Sequence, residues 1–271
     1  MPLVRVIMIG DVVGDAGLAV LEEKLPGLIK DNSADLVVVN GENSSGGFGI
    51  TKETLDRILA AGADVVSGGN HSWENREFWT VLDGEERALR PANYPGDSPG
   101  RGWTVIEKKP VSGGEAVPFV IINLQGREFM TPIDCPFRCV DEIFATLARS
   151  RETKPNPLIL LDFHAESTRE KEALGFYVDG RVSLFAGTHT HIQTADERVL
   201  PGGSAYITDL GMTGIAGSVL GMDTKICIDR ALTQVLYRME LAGGPGAEVQ
   251  GVIAGIDRDS GKAVSIKRIR V

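Results

Sequence analysis

The sequence has few of the residues that mark several large protein classes. It contains three cysteines, Cys135, Cys139 and Cys227, and their spacing matches no zinc motif. We interpret them as reduced thiols of a cytoplasmic protein, with "CPFRC" as a ligand or redox pair left as the alternative. No apolar stretch reaches the roughly 18 residues that a membrane span requires, and "VRVIMIGDVVG" is too short for a signal segment. We therefore expect no membrane partner.

Positive charge is also scarce. The 37 acidic residues outnumber the 28 basic ones, which gives a formal net charge of −9, and no run of basic residues occurs. A protein that binds long nucleic acids needs a basic surface to displace counterions from phosphates, so we expect no long nucleic-acid partner. A small anionic substrate stays compatible with this charge if metal ions supply positive charge locally. The composition leaves homo-oligomerisation open.

Short β-branched apolar runs alternate with amphipathic helical patterns in the first two thirds of the chain. Continuous apolar strands that alternate with helices indicate a largely parallel sheet covered on both faces. The predicted helices span residues 18–31, 51–62 and 139–150. The predicted strands span residues 4–9, 35–40, 64–68, 103–108, 118–124, 158–163 and 182–187.

The last third of the chain has a different pattern. Residues 204–211, 229–240 and 248–271 are predicted as strands joined by turns, and "DRDSGK" is typical of a hairpin loop. This pattern predicts a second, more antiparallel sheet, and no low-complexity linker divides the chain. The predicted fold class is α/β, with two face-to-face mixed sheets flanked by helices in an α/β/β/α sandwich. It forms a single domain over residues 1–271.

Polar side chains follow five of the predicted strands, and they include all four histidines of the chain. Taken one at a time, Asp11 could cap the following helix, Asn43 could be a turn residue and His164 could be a hydrogen-bonded core histidine. Their joint placement favours one shared site, because ligands bind beyond the carboxyl ends of strands in open α/β sheets. The residues at these strand ends are Asp11, Glu42, Asn43, Asn70, His71, His164, His189 and His191.

Carboxylate, amide and imidazole groups together suit a transition metal such as Fe, Mn, Co or Zn. In an extended "HTH" segment, His189 and His191 share a face while Thr190 turns away, so both imidazoles can enter one site. Seven of these eight residues are candidate ligands, which is too many for one tetrahedral ion. They match two ions roughly 3.5–4 Å apart that share a bridging carboxylate, with one of these two histidines on each ion.

Five segments in this order, "GDVVG", "GENSS", "GGNHSWEN", "DFHAES" and "GTHTH", resemble the motifs of the calcineurin-like metallophosphoesterases. Two positions depart from that pattern: Val13 replaces the histidine of D-x-H, and Glu42 replaces the bridging aspartate. With "GTHTHIQTADERVLPGGSAYITDLGMTG", these departures resemble the bacterial YmdB-type branch. That resemblance implies a metallophosphoesterase-like sandwich and a phosphodiesterase of small cyclic nucleotides, with 2′,3′-cyclic nucleotides favoured.

The resemblance also implies a role for each site residue. One metal would be held by Asp11, Glu42, Asn43 and His191, and the other by Glu42, Asn70, His164 and His189. Oxygen donors in place of a histidine favour Fe or Mn over Zn. His71 would be the general acid that protonates the leaving oxygen.

Other interpretations stay open. The same metals could serve a phosphomonoesterase or a nuclease, and the fold could serve a non-catalytic nucleotide-sensing scaffold. Asp196 and Asp209 could orient ligand histidines or serve in turns and caps. The loop "SSGGFGI" is expected beside the ligands. The segment "GREFMTPIDCPF" could line the substrate pocket, or its Phe129 and Phe137 could be packing residues.

Overall fold

The computed structural model describes residues 3–149 and 157–271. Residues 1–2 and 150–156 of the predicted domain lie outside the described residues, and Ser150 is the last residue of the predicted helix 139–150. The helices are α1 (Gly14–Asn32), α2 (Lys52–Ala60), α3 (Trp79–Gly84, preceded by a 3-10 turn at Arg76–Phe78), α4 (Pro136–Arg149), α5 (Thr168–Val178) and α6 (Thr224–Thr233). The strands are β1 (Leu3–Ile9), β2 (Asp11–Val12), β3 (Leu36–Asn40), β4 (Val65–Ser67), β5 (Trp103–Lys108), β6 (Val117–Gln125), β7 (Leu158–His164), β8 (Leu184–Thr188), β9 (Arg198–Val199), β10 (Ala205–Ile207), β11 (Met212–Ile215), β12 (Ala247–Glu248), β13 (Gln250–Asp257) and β14 (Ala263–Arg270).

Parallel strands form the centre of each of the two large sheets. The first sheet has the order β14-β13-β1-β3-β4, in which β1, β3 and β4 are parallel. The second has the order β5-β6-β7-β8-β10-β9, in which β6, β7, β8 and β10 are parallel. A short third sheet, β12-β11-β2, lies beside them. Both large sheets are therefore mixed, as predicted.

The two large sheets pack face to face, and helices cover their outer faces. Val6 and Met8 of β1 share a buried cluster with Ile121 of β6 and Leu160 of β7, which fills the space between the sheets. Alternate residues of the first sheet pack against α1 and α2 in a second cluster. Those of the second sheet pack against α4 and α5 in a third. Strands with two buried faces explain the continuous apolar runs of the sequence.

The prediction for the last third of the chain was wrong in two respects. The hairpin β13–β14 forms as predicted, but it joins the first sheet through antiparallel pairing of β13 with β1. Residues 229–240 are not a strand, because α6 covers residues up to Thr233 and Gln234 ends it in a left-handed conformation. The Asp223 side chain accepts a hydrogen bond from Ile226 N and starts this helix.

The helices and the cysteines bear on the expected membrane and redox properties. Within residues 3–149 and 157–271, no helix combines the length and apolarity needed to cross a membrane. All three cysteines are free thiols.

Candidate metal centre and adjoining cavity

All eight residues that follow the predicted strands meet at one end of the sandwich. The first sheet contributes Asp11, Glu42, Asn43, Asn70 and His71 from the segments that follow β1, β3 and β4. The second sheet contributes histidines from the ends of β7 and β8. The two sets of residues are in contact: His189 N donates a hydrogen bond to Asp11 Oδ2 at 3.2 Å. The site therefore lies where the carboxyl ends of both sets of parallel strands converge.

Three potential ligand atoms surround the Nε2 atom of His164, and we call these four donors the His164 group. Glu42 Oε1 and Asn70 Oδ1 each lie 2.9 Å from His164 Nε2, and His189 Nδ1 lies 3.0 Å away. The side chains of Glu42 and His164 are buried. A ring nitrogen carries at most one hydrogen and cannot donate to three acceptors at once. The convergence of these donors fits a cation, with Glu42, His164 and His189 as its charged or imidazole ligands.

A second set of donors, the His191 group, consists of Asp11 Oδ1, the Asn43 amide and His191 Nε2. His191 Nε2 lies 3.9 Å from Asp11 Oδ1 and 3.3 Å from Asn43 Nδ2. Among the described residues, Asp11 Oδ1 is a buried oxygen with no hydrogen-bond partner. Burying a carboxylate oxygen without a hydrogen-bond donor costs free energy, and a bound cation would remove that cost. Rotating the Asn43 amide by half a turn would offer Oδ1, the atom that a metal requires.

In the buried cluster, the charged forms of Glu42 and His164 stabilise each other. Burial alone would raise the pKa of Glu42, but the charge and hydrogen bond of His164 lower it to about 2. Burial opposes protonation of His164, yet Glu42 and Asp11 raise the pKa of His164 to about 9. Burial and the charge of His164 lower the pKa of His189 to about 3, and burial raises the pKa of Asp11. A metal ion can replace the positive charge that the His164 proton supplies here.

Hydrogen bonds to the other ring nitrogens orient two of the imidazoles. His164 Nδ1 lies 3.0 Å from Thr188 Oγ1, and the Thr188 hydroxyl donates to Asp162 Oδ1 at 2.7 Å. His191 Nδ1 lies 3.0 Å from the carbonyl oxygen of Leu220. In both rings, Nδ1 is therefore the donor to an acceptor outside the cluster, and Nε2 faces the other ligand atoms. The sequence analysis missed these partners, although Asp162 inside the apolar run "LILLDF" was a visible signal.

The "HTH" segment does not have the extended backbone that we expected. β8 ends at Thr188, and the φ angles of His189 and His191 are 97° and 61°. The bend directs the His189 ring toward His164 and the His191 ring toward Asp11 and Asn43. The two histidines therefore face different donor sets, while the Thr190 hydroxyl donates to Asp209 Oδ2 at 2.6 Å.

A cavity of about 330 Å³ opens beside the two donor groups. Gly47 and Phe48 of the loop "SSGGFGI" line it, together with His71 and Glu166. The His71 ring contacts the Phe48 ring edge-on at 5.2 Å between centroids. Glu166, which the sequence analysis also missed, places Oε2 3.2 Å from His189 Nε2. The volume is that of a site for a small molecule.

Asp11 does not cap α1. Val13 occupies the N-cap position of this helix and makes no side-chain cap, so the capping alternative for Asp11 was wrong. Asp196 accepts hydrogen bonds from Thr194 and Thr208, which is a turn role.

The segment "GREFMTPIDCPF" does not line the cavity beside the donors. Its Phe137 packs against Tyr177 and borders a separate cavity near α5. Phe129 is 87% exposed. The segment therefore lies apart from the donor groups, and Phe137 makes the packing contact that was the alternative for it.

Known proteins resemble this chain over nearly its whole length. A family model described as YmdB-like protein matches residues 7–269. The 2′,3′-cyclic-nucleotide 2′-phosphodiesterase of Bacillus subtilis is 43% identical over 267 residues, which cover 98% of this chain and 97% of that protein. The crystal structure of a novel phosphatase from Mycoplasma pneumoniae has a TM-score of 0.89 at 32% identity. The match covers 100% of this chain and 94% of the phosphatase chain. The crystal structure of a hypothetical protein from Thermus thermophilus has a TM-score of 0.86 at 36% identity, with 98% of each chain covered.

Proposed function

The chain belongs to the family of YmdB-like proteins, and on that premise we propose that it is a metal-dependent phosphodiesterase of small cyclic nucleotides. The proposed substrates are 2′,3′-cyclic nucleotides, the class named for the Bacillus subtilis relative. The observation that carries the proposal is the convergence of carboxylate, amide and imidazole donors from both sheets beside a cavity of small-molecule size.

We assign two metal ions to the site, one to each donor group. Glu42, Asn70, His164 and His189 would hold one ion, and Asp11, Asn43 and His191 would hold the other together with Glu42. Bound there, the ions supply Lewis acidity, which lowers the pKa of water and neutralises charge on the phosphate. The unpartnered Asp11 Oδ1 supports the second position. The excess of oxygen donors there favours Fe or Mn.

His71 is proposed as the general acid. Its backbone N–H donates to Glu42 Oε2 at 3.0 Å, so the fold fixes the residue relative to the donors. Its Nδ1 lies 3.1 Å from Glu74 Oε1, and this contact orients the ring. The side chain lines the cavity and belongs to neither donor group. Nε2 is then the nitrogen that delivers a proton to the departing ribose oxygen, a contribution of roughly 10²–10⁴ in rate.

The cavity and the charge of the chain favour a small substrate. Phe48 is 43% exposed beside His71, and an exposed aromatic face is a surface on which a nucleobase can stack. The net charge of −9 disfavours long nucleic acids. We further propose that the whole chain is one catalytic domain, and that it acts in the cytoplasm, where its three free thiols stay reduced.

The proposal is tested by metal analysis of the purified protein together with a panel of cyclic diesters, linear diesters and monoesters. We expect two Fe or Mn ions per chain and a higher kcat/KM for 2′,3′-cyclic nucleotides than for nucleoside monophosphates. One ion or none after reconstitution would contradict the assignment of two metals.

A phosphomonoesterase is the second candidate, because the Mycoplasma pneumoniae structure is described as a phosphatase. A preference for nucleoside monophosphates over cyclic diesters in the same panel would favour it. Failure to hydrolyse either class while metals are bound would leave the nucleotide-sensing scaffold.

A further inference from the structure

The loop that carries two of the candidate ligands is held in a strained conformation. His189 and His191 both have a left-handed backbone, with φ angles of 97° and 61°. Residues other than glycine avoid this region and keep it only where their surroundings enforce it. Thr190 stands between the two histidines, so its contacts restrain the bend together with the hydrogen bond from His189 N to Asp11 Oδ2.

Thr190 is anchored by the carboxylate of Asp209. Asp209 Oδ2 accepts hydrogen bonds from the Thr190 hydroxyl at 2.6 Å and from the Thr190 backbone N–H at 3.2 Å. The other oxygen, Oδ1, accepts a hydrogen bond from Gly211 N at 2.8 Å, which fixes the carboxylate on its own loop. Asp209 contacts neither donor group through these bonds. The side-chain hydrogen bonds of Asp209 reach the histidine loop at Thr190.

Lys171 of α5 completes this network. Its Nζ lies 2.7 Å from Asp209 Oδ2 and 3.3 Å from Thr190 Oγ1, and its side chain is 1% exposed. Taking a lysine and an aspartate fully out of water is expensive, and apolar residues of similar volume are often as stabilising or more so. The buried pair is therefore better explained by the geometry it imposes than by stability.

We propose that the buried Lys171–Asp209 pair is a positioning device that holds His189 and His191 in their bent arrangement through the hydroxyl of Thr190. The inference rests on the proposed function in that it takes these histidines as metal ligands. Lys171 and Asp209 are positioning residues, because they fix where the imidazoles stand without touching substrate. Replacing partners of this kind typically weakens metal binding by 10–100-fold.

The test uses Thr190→Val, which keeps the shape of the side chain and removes the hydroxyl through which the pair is proposed to act, while the longer backbone hydrogen bond from Thr190 N to Asp209 Oδ2 stays. Mn²⁺ affinity is measured by calorimetry on metal-depleted protein, and the free energy of unfolding is measured in parallel. We expect Mn²⁺ binding to weaken 10–100-fold, and Thr190→Ser to restore it because serine keeps the hydroxyl. Affinities of Thr190→Val within twofold of the native chain would overturn the proposal.

Ser204→Ala is the matched control. The Ser204 hydroxyl donates to Val182 O and accepts from Gly180 N at the opposite end of β10, so this variant also loses buried hydrogen bonds. We expect it to lose stability and keep its Mn²⁺ affinity. An equal loss of affinity in Ser204→Ala would also overturn the proposal, since general loosening would then explain both variants.

The measurement is made without nucleotide. A native chain that binds Mn²⁺ and hydrolyses no cyclic nucleotide would contradict the proposed function and leave the positioning inference intact.

Discussion

Gly69 is the glycine whose replacement should most directly disturb the candidate metal centre. A Cβ atom at this position would lie 2.3 Å from Glu42 Oε2 and 2.4 Å from His164 Cδ2. Both neighbouring side chains are buried. To move from 2.3 Å to the 3.4 Å at which ordinary contact begins, Glu42 or the new residue must shift by about 1.1 Å. The Gly69→Ala variant therefore forces the donors apart.

The expected size of the effect follows from that displacement. Overpacking of this kind costs about 1–3 kcal/mol of stability. A misplacement of about 1 Å in a catalytic arrangement costs roughly 100-fold in rate. We expect Gly69→Ala to fold, to bind Mn²⁺ at least 10-fold more weakly and to lose about 100-fold in kcat/KM on a 2′,3′-cyclic nucleotide. Calorimetric Mn²⁺ titration and steady-state kinetics at saturating metal measure the two effects separately.

Gly175→Ala provides the control. A Cβ at Gly175 would lie 2.4 Å from Tyr206 Cε2, a clash of similar size in the core between α5 and β10. It should cost stability without changing metal affinity. The reasoning is refuted if Gly69→Ala binds Mn²⁺ and turns over substrate like the native chain, or if Gly175→Ala loses metal to the same extent.

Three further predictions concern individual side chains. His71→Ala should retain its metal and lose roughly 10²–10⁴ in kcat/KM on a 2′,3′-cyclic nucleotide. The loss should be much smaller on bis-(nitrophenyl) phosphate, whose leaving group needs no proton. Equal losses on both substrates would remove the general-acid role. His189→Ala and His191→Ala should each deplete a different ion, which anomalous scattering of reconstituted crystals can distinguish, and loss of the same ion in both would contradict the two-group assignment. Burial outweighs the hydrogen bonds to Asp162 and raises its pKa from 3.8 to about 6, so its contribution to stability is present below pH 3.8 and is lost as the pH rises through about 6. The free energy of unfolding of metal-free Asp162→Asn, relative to the native chain, should therefore gain about 2 kcal/mol between pH 4 and pH 7, and an unchanged difference across that range would refute the assignment.

The main layers of the fold could be predicted from the sequence, but the assignment of strands to sheets could not. Apolar runs that are buried on both faces identify strands and the helices between them, because the pattern depends on local burial. Which strand pairs with which is decided by contacts distant in sequence. The register of β13 against β1, from Leu3 with Asp257 to Ile9 with Gly251, leaves no trace in either segment alone. α6 was missed because its few apolar residues lie in a short segment that periodicity could not separate from a strand.

The candidate site could be predicted because the polar residues stand at strand ends, and the carboxyl ends of parallel strands share one edge. Eight residues were therefore brought together without knowledge of sheet order. The partners that orient them were not predictable in the same way. The acceptor for His191 Nδ1 is the backbone carbonyl of Leu220, and a backbone atom has no sequence signature. The hydrogen bonds that join Thr190 to Asp209 and Asp209 to Lys171 likewise connect residues that lie far apart in the sequence.

The position of the site at the interface between the two large sheets has a consequence for folding kinetics. Asp11 and His189 are separated by 178 residues along the chain, and they meet only when the first sheet has docked on the second. Such long-range pairing is slow to form, so the complete set of donors is assembled late on the folding pathway. A cation held by both sheets would therefore leave the folding rate nearly unchanged and slow unfolding instead. Chelation would then shorten the lifetime of the folded chain without slowing its formation.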